Sequence, residues 1–90
     1  MGIPRLDKMS ESQLMEFWNK YQNVGKRQDC EELVGDRRKG YTIIAKNLGA
    51  YAANKATAMR CRKHGDTSAA ELYELMCKTI YERLPYDCRF

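Results

Sequence analysis

The residues best equipped for chemistry in this chain of 90 amino acids are four cysteines and a single histidine. Cys61 and His64 stand three apart, a spacing at which two side chains on one helical turn reach a common ion, and Cys77 and Cys88 would complete a tetrahedral zinc set. Such ligands must converge to within about 2.3 Å of the metal. Gly65 and Asp66 mark a turn directly after His64, and a helix beginning beyond it carries Cys77 about ten residues, or roughly 15 Å, away from that turn. A zinc site would have to break the best-supported element of the chain, so neither a metal nor a cofactor is expected. A disulfide framework is equally unexpected. The opening MGIPRLDKMS has no apolar signal segment, and cytosolic thiols stay reduced. Cys30 and Cys77 read as small core residues, Cys61 and Cys88 as incidental, and Cys30 with Cys88 is the one pairing the pattern leaves open.

Covalent catalysis needs a base beside the nucleophile and a group that orients the base. The lone histidine, on a basic helix end, supplies no such set and reads as a solvated residue, favourable there when protonated. No carboxylate pair stands apart from the acids of helix surfaces. VGKRQ and VGDRRKG lack the spacing of a phosphate-cradling loop. The chain therefore reads as a non-enzyme with no small-molecule substrate.

The remaining chemistry is that of cations. Sixteen Lys and Arg against twelve Asp and Glu leave a net charge of +4, which permits nucleic-acid binding without demanding it. Arg37, Arg38 and Lys39 lie together in GDRRKG, a glycine-bounded loop, with Tyr41 placed to stack beside them, a combination suited to single strands. Lys46, Asn47, Asn54 and Arg60 are of the types that read base edges. A helix-turn-helix would need a turn of three or four residues, and GDRRKG is longer. Lys55 is the odd residue. At about 100° per residue it falls on the arc of Leu48, Tyr51 and Met59, opposite Leu75–Thr79 of the next helix, with Glu71 and Glu74 as candidate partners. A buried unpaired ammonium is costly, so Lys55 is expected to pair, to reach water along an apolar stem, or to meet an acidic partner. Candidate contacts for a nucleic acid or an acidic partner are thus Arg37, Arg38, Lys39, Lys46, Lys55 and Arg60.

The elements that must position these groups are helical. In MSESQLMEFWNKYQ, Ser10 and Gln13 form a capping box, and Leu14, Phe17, Trp18 and Tyr21 recur at helical spacing; this predicts a helix over Glu11–Gln22 ending near Asn23 and Gly25. KRQDCEELVGD predicts one or two turns capped by Asp29 and stopped at Gly35, with Cys30, Leu33 and Val34 as the apolar face. A long helix from about Thr42 to His64 carries Ile44, Leu48, Tyr51, Ala52 and Met59 on one side and Lys46, Asn47, Asn54, Thr57 and Arg60 on the other. Gly49 costs it stability, yet with Ala45, Ala52, Ala53 and Ala56 leaves a low surface that a neighbouring helix can approach. The last helix opens on Ser68 and Glu71 as a second capping box, shows Ala69, Leu72, Tyr73, Met76, Ile80 and Leu84 as its apolar stripe, and ends at Pro85. The short connection at Gly65 folds residues 42–85 into an antiparallel hairpin.

The expected fold is all-α: one domain over residues 1–90, a small bundle of three to four helices built around that hairpin, with residues 1–9 as an N-terminal extension. A hydrophobic share of 43% and a charged share of 31% fit a globular chain, and no apolar run approaches the ~18 residues of a membrane span. No membrane partner is expected, and the default address is the cytoplasm.

Gly49 to Pro85 resembles a single degenerate tetratricopeptide-type hairpin, with Gly65 at the turn, Ala69 and Tyr73 four apart and Pro85 closing. One unit makes no solenoid, so the likeness implies hairpin geometry and no function. GDRRKGY, NLGAYAANKATAMRCRKHGD and YERLPYDCRF are similar to stretches of small bacteriophage-encoded proteins. That resemblance implies an accessory protein acting in host cytoplasm by binding a host or virion protein. The function expected is protein–protein contact, with a protein partner or a second copy, through Phe17, Trp18 and Tyr21 or the strip Gly49–Ala53. The alternative is nucleic-acid binding through the Arg37–Lys39 loop and the basic side of the long helix.

Overall fold

The computed structural model describes residues 2–22 and 26–90. Among them are four α-helices and no strand: α1 Glu11–Tyr21, α2 Arg27–Val34, α3 Tyr41–Lys63 and α4 Thr67–Arg83. The all-α bundle around an antiparallel hairpin is the observed architecture.

Each boundary has a local cause. At α1 the Ser10 hydroxyl accepts from the Gln13 N–H at 3.2 Å, while the Gln13 side chain accepts from the Ser10 N–H at 2.9 Å. Both satisfy donors that the helix itself leaves without partners. The expected stop at Asn23 and Gly25 lies outside the described residues. Gly35, at φ +96°, ends α2 in the left-handed region as expected. Asp29 does not cap α2; it sits in the first turn, behind Lys26. The α4 cap likewise stands two residues earlier than its sequence suggests. Asp66 accepts from the Ala69 N–H at 3.1 Å, so Ser68 is already inside the helix. Gly65, at φ +80°, supplies the reversal.

The long helix α3 is the centre of the molecule. At about 1.5 Å per residue its 23 residues span roughly 35 Å, close to the 41 Å long dimension of the protein. It packs against α1, α2 and α4. Gly49 faces Trp18 and Tyr21 of α1, whereas the Tyr51 carbonyl, on nearly the opposite side, accepts the Cys77 thiol of α4 at 3.6 Å. Two helices approach one because the contact residues are small: Ala45, Gly49, Ala52, Ala56 and Ala58 are all buried. Ile44, Leu48 and Tyr51 complete the buried side, but Met59, expected with them, is exposed.

Both ends of the chain add to this core. Leu6, in a 3-10 turn over Leu6–Lys8, is fully buried, so the N-terminal extension folds back on the bundle. After α4, Leu84 and Cys88 are buried, and Phe90 sets its ring edge-on to Tyr51 at 4.8 Å and Tyr81 at 5.0 Å. Cys88 is thus a core residue, not an incidental one. Arg89 donates to the carbonyls of Glu82 and Leu84, which α4 leaves free at its end. The Tyr81 hydroxyl donates to the Phe90 carbonyl at 2.7 Å.

Candidate functional site

The site begins with the way α4 lies on its neighbour. Ala70 and Cys77, seven residues apart, are the buried positions within the helix, and Leu84 follows at the same interval. With about 100° per residue, this axis leaves Leu72, Leu75 and Thr79 on the opposite side, with Met76 at its edge. The stripe read from the sequence is therefore rotated. Leu72 is 58% exposed, Leu75 59% and Met76 43%, although Leu84 is buried as expected. Small residues explain the choice. Ala70 and Cys77 let α4 come close to α3, where the Cys77 thiol reaches the Tyr51 backbone, and a leucine at either position would hold the helices apart. Three large apolar side chains within five residues stand on a solvent-facing side of one helix, and lone exposed apolar residues are ordinary whereas contiguous ones mark contact surfaces. One flank of this face carries Glu71, Lys78 and Glu82, all exposed.

The cations expected to contact a partner are not one open patch. Arg37 donates to Glu31 at 2.6 Å. Arg38 donates to Asp36 through Nε and Nη2 at 2.9 Å and to Asp87 through Nη1 at 2.8 Å, pinning the loop to the C-terminal turn. These carboxylates hold the Arg38 pKa above its ordinary value, chiefly through the Asp36 hydrogen bonds, and Arg38 holds both acids below theirs. Arg60 pairs with Glu11 across to α1 at 3.4 Å. Lys39, Lys46 and Lys55 make no ion pair with a described residue. Asn54 donates to the Ala50 carbonyl within its own helix.

Lys55 is half-buried beside an open hollow of about 350 Å³ that also touches Tyr51, Glu74, Cys77 and Tyr81. Glu74, its candidate partner, is held instead by Arg62 in a two-pronged pair at 2.6 and 2.8 Å. That hydrogen bonding lowers the Glu74 pKa, and the positive charge of Lys55 adds to the effect from a distance. Lys55 is thus neither fully buried nor ion-paired with a described residue.

The aromatic residues of α1 are structural. Phe17 and Tyr21 are buried with ring centroids 4.6 Å apart, and Trp18 is half-buried against Gly49. Phe17 and Tyr21, but not Trp18, also line a groove of about 520 Å³ beside the N-terminal segment. The strip Gly49–Ala53 is likewise engaged, since α1 covers Gly49. Neither offers a partner the free face the sequence promised. The four cysteines are free thiols, and among the described residues no three of His, Cys, Asp and Glu converge as metal ligands. Burial pushes the Cys77 thiol up to about 11 and raises Cys30 and Cys88 as well. Among the described residues no helix is long and apolar enough to cross a membrane.

Comparison with protein-family models, with curated proteins and with solved structures found no match to this chain. The signal for the α4 face was nonetheless present in the sequence. TSAAELYELMCKTIYERL carries two apolar stripes, and the one with the smaller side chains, Ala70 and Cys77, is the one that the fold buries.

Proposed function

We propose that this chain is a non-enzymatic helical module that works by contact with another protein, and that the outer side of α4 makes that contact. The supporting observation is the exposure of Leu72, Leu75 and Met76 together on one side of a helix whose other side is closed against the core. Burying a leucine side chain contributes about 1.5–3 kcal/mol, so these three residues hold the largest unused hydrophobic gain in the described structure. The likeness to small bacteriophage proteins would place the contact in the cytoplasm of an infected cell. Nucleic-acid binding through the Arg37–Lys39 loop has less support, because Arg37 and Arg38 are already held by Glu31, Asp36 and Asp87.

Affinity capture of the full chain, with and without nuclease, tests both readings. A protein retained by the wild type after nuclease and lost with L72S/L75S is the expected result. Capture unaffected by that double substitution would end the α4 assignment. Retention of nucleic acid that falls steeply with salt, and falls again on R37Q/R38Q, would establish the alternative.

A further inference from the structure

The same face of α4 has a charge pattern that selects its own occupant. Leu72 and Thr79 lie seven residues apart along the middle of the exposed side, with Leu75 between them. Glu71 and Lys78, also seven apart, form one edge, and Met76 stands on the other. When a second α4 is laid antiparallel across the first, with Leu72 of each against Leu75 of the other, Glu71 of each chain falls opposite Lys78 of the other. The two-fold axis repeats the pair, so the interface gains two opposite-charge contacts and no like-charge one on that edge. On the far edge Met76 of each chain falls nearest Ala69 of the other, where apolar contact continues. A parallel arrangement at the same face loses this: Glu71 would face Met76, and Lys78 would face Arg83 of the other helix, two cations together. Isologous contact of this kind is the commonest form of self-association.

We infer that the occupant of the α4 outer face is a second copy of this chain, docked antiparallel with Leu72 of each against Leu75 of the other and with reciprocal Glu71–Lys78 pairs. The inference rests on the reading of α4 as the contact face and names the partner. Nothing else in the described structure competes for these residues. Glu71 and Lys78 take part in no ion pair with a described residue, and both side chains are exposed. The size of the contact sets its strength. Seventeen residues of helix span about 25 Å, and one helix on one helix buries less than the roughly 800 Å² per partner of a standard interface. The dimer is therefore a reversible one, dissociating in the micromolar range.

Sedimentation velocity of the full chain over a concentration series decides the matter. The wild type should shift from one chain to two as concentration rises. L72S/L75S should stay at one chain throughout, with an unchanged helical circular-dichroism spectrum, since both side chains already face solvent. Glu71→Lys alone, or Lys78→Glu alone, sets like charges opposite each other twice and should weaken association about tenfold. E71K/K78E together should restore it to within about twofold, which neither a parallel dimer nor a general loss of fold would do. A wild type that remains a single chain at every soluble concentration overturns the inference, as does a charge swap that fails to rescue. If that monomer still captures a protein through Leu72 and Leu75, the self-docking fails alone. If capture is also insensitive to those residues, the contact face fails with it.

Discussion

The closeness of α1 to α3 can be tested at a single atom. A β-carbon built on Gly49 lies 3.5 Å from Cε3 of Trp18, 3.5 Å from Cβ of Tyr21 and 3.6 Å from the Tyr21 carbonyl carbon. These are ordinary van der Waals separations, so one methyl group fits without moving either helix. Gly49→Ala then keeps the packing and removes the backbone freedom that glycine gives the unfolded chain. In a helix interior this exchange is favourable by about 0.8–1 kcal/mol. For a domain of this size, a gain of that order raises Tm by roughly 4–8 °C. Gly49→Val reverses the sign. Its two γ-carbons extend about 1.5 Å beyond a site whose neighbours already stand at contact, and overpacking of this kind costs about 1–3 kcal/mol. Thermal unfolding followed by helical circular dichroism measures both, and urea titration with an unchanged m-value confirms that the native state is what moved. The reasoning fails if alanine destabilises as valine does, because α1 would then sit closer to α3 than described. It fails equally if valine stabilises, because α1 would then stand away.

Three further outcomes follow from the same structure. Leu84→Ala, at a site 3% exposed, should cost about 2–5 kcal/mol, whereas Leu72→Ala, at 58% exposure, should change stability by less than about 0.5 kcal/mol; a loss at Leu72 as large as at Leu84 would restore the apolar stripe read from the sequence. Cys30, Cys77 and Cys88 are buried with raised pKa values and Cys61 is half-exposed, so a thiol reagent at mildly alkaline pH should label one cysteine quickly and three only on unfolding. Rapid labelling of a second thiol would contradict the packing of α4 or of the C-terminal turn. Asp7, Asp36, Glu74 and Asp87 have pKa values lowered in the folded state, chiefly by hydrogen bonds from Arg5, Arg38, Arg62 and Arg38 respectively. A depressed folded value means that their stabilisation is complete above the ordinary carboxylate range near about 4 and is lost as pH falls through the folded values. The urea midpoint should therefore hold steady down to about pH 5 and decline below it, less steeply in high salt; a midpoint constant into strong acid would show that these exposed pairs contribute nothing.

The helices themselves were legible because their signals are local. Ser10 and Gln13 close a capping box whatever α1 packs against, Gly35 and Gly65 fit left-handed stops, and the short turn between α3 and α4 forces a hairpin. What was not legible depends on residues far apart. Arg38 meets Asp87 across 49 positions, and Arg60 meets Glu11 across the same interval, so a run of cations that looks like an open patch is partly neutralised only once the chain is folded. Lys55 lies on the buried arc of its own helix, and only the folded chain shows that it borders an open hollow and that Arg62 takes Glu74, its candidate partner. The N-terminal extension looked peripheral because one apolar residue, Leu6, carries its attachment to the core.

The choice of face by α4 matters most, because the side it leaves open is where the proposed contact lies. Periodicity ranks faces by the size of their apolar side chains, and by that measure Leu72, Tyr73 and Met76 outweigh Ala70 and Cys77. Packing ranks them by fit. Against α3, where the Cys77 thiol reaches the Tyr51 backbone, the close approach that small residues allow wins over the area that large ones offer. A helix with two apolar stripes can bury only one against a single neighbour. If the second stripe were incidental, its large residues should be scattered and its charges indifferent. Instead Leu72, Leu75 and Met76 are contiguous, and the edge beside them alternates in sign at the seven-residue interval that an antiparallel copy would match. The place where local pattern and tertiary packing disagree is thus the place where the fold leaves binding energy unused, and natural sequences tolerate such disagreement chiefly at sites of function.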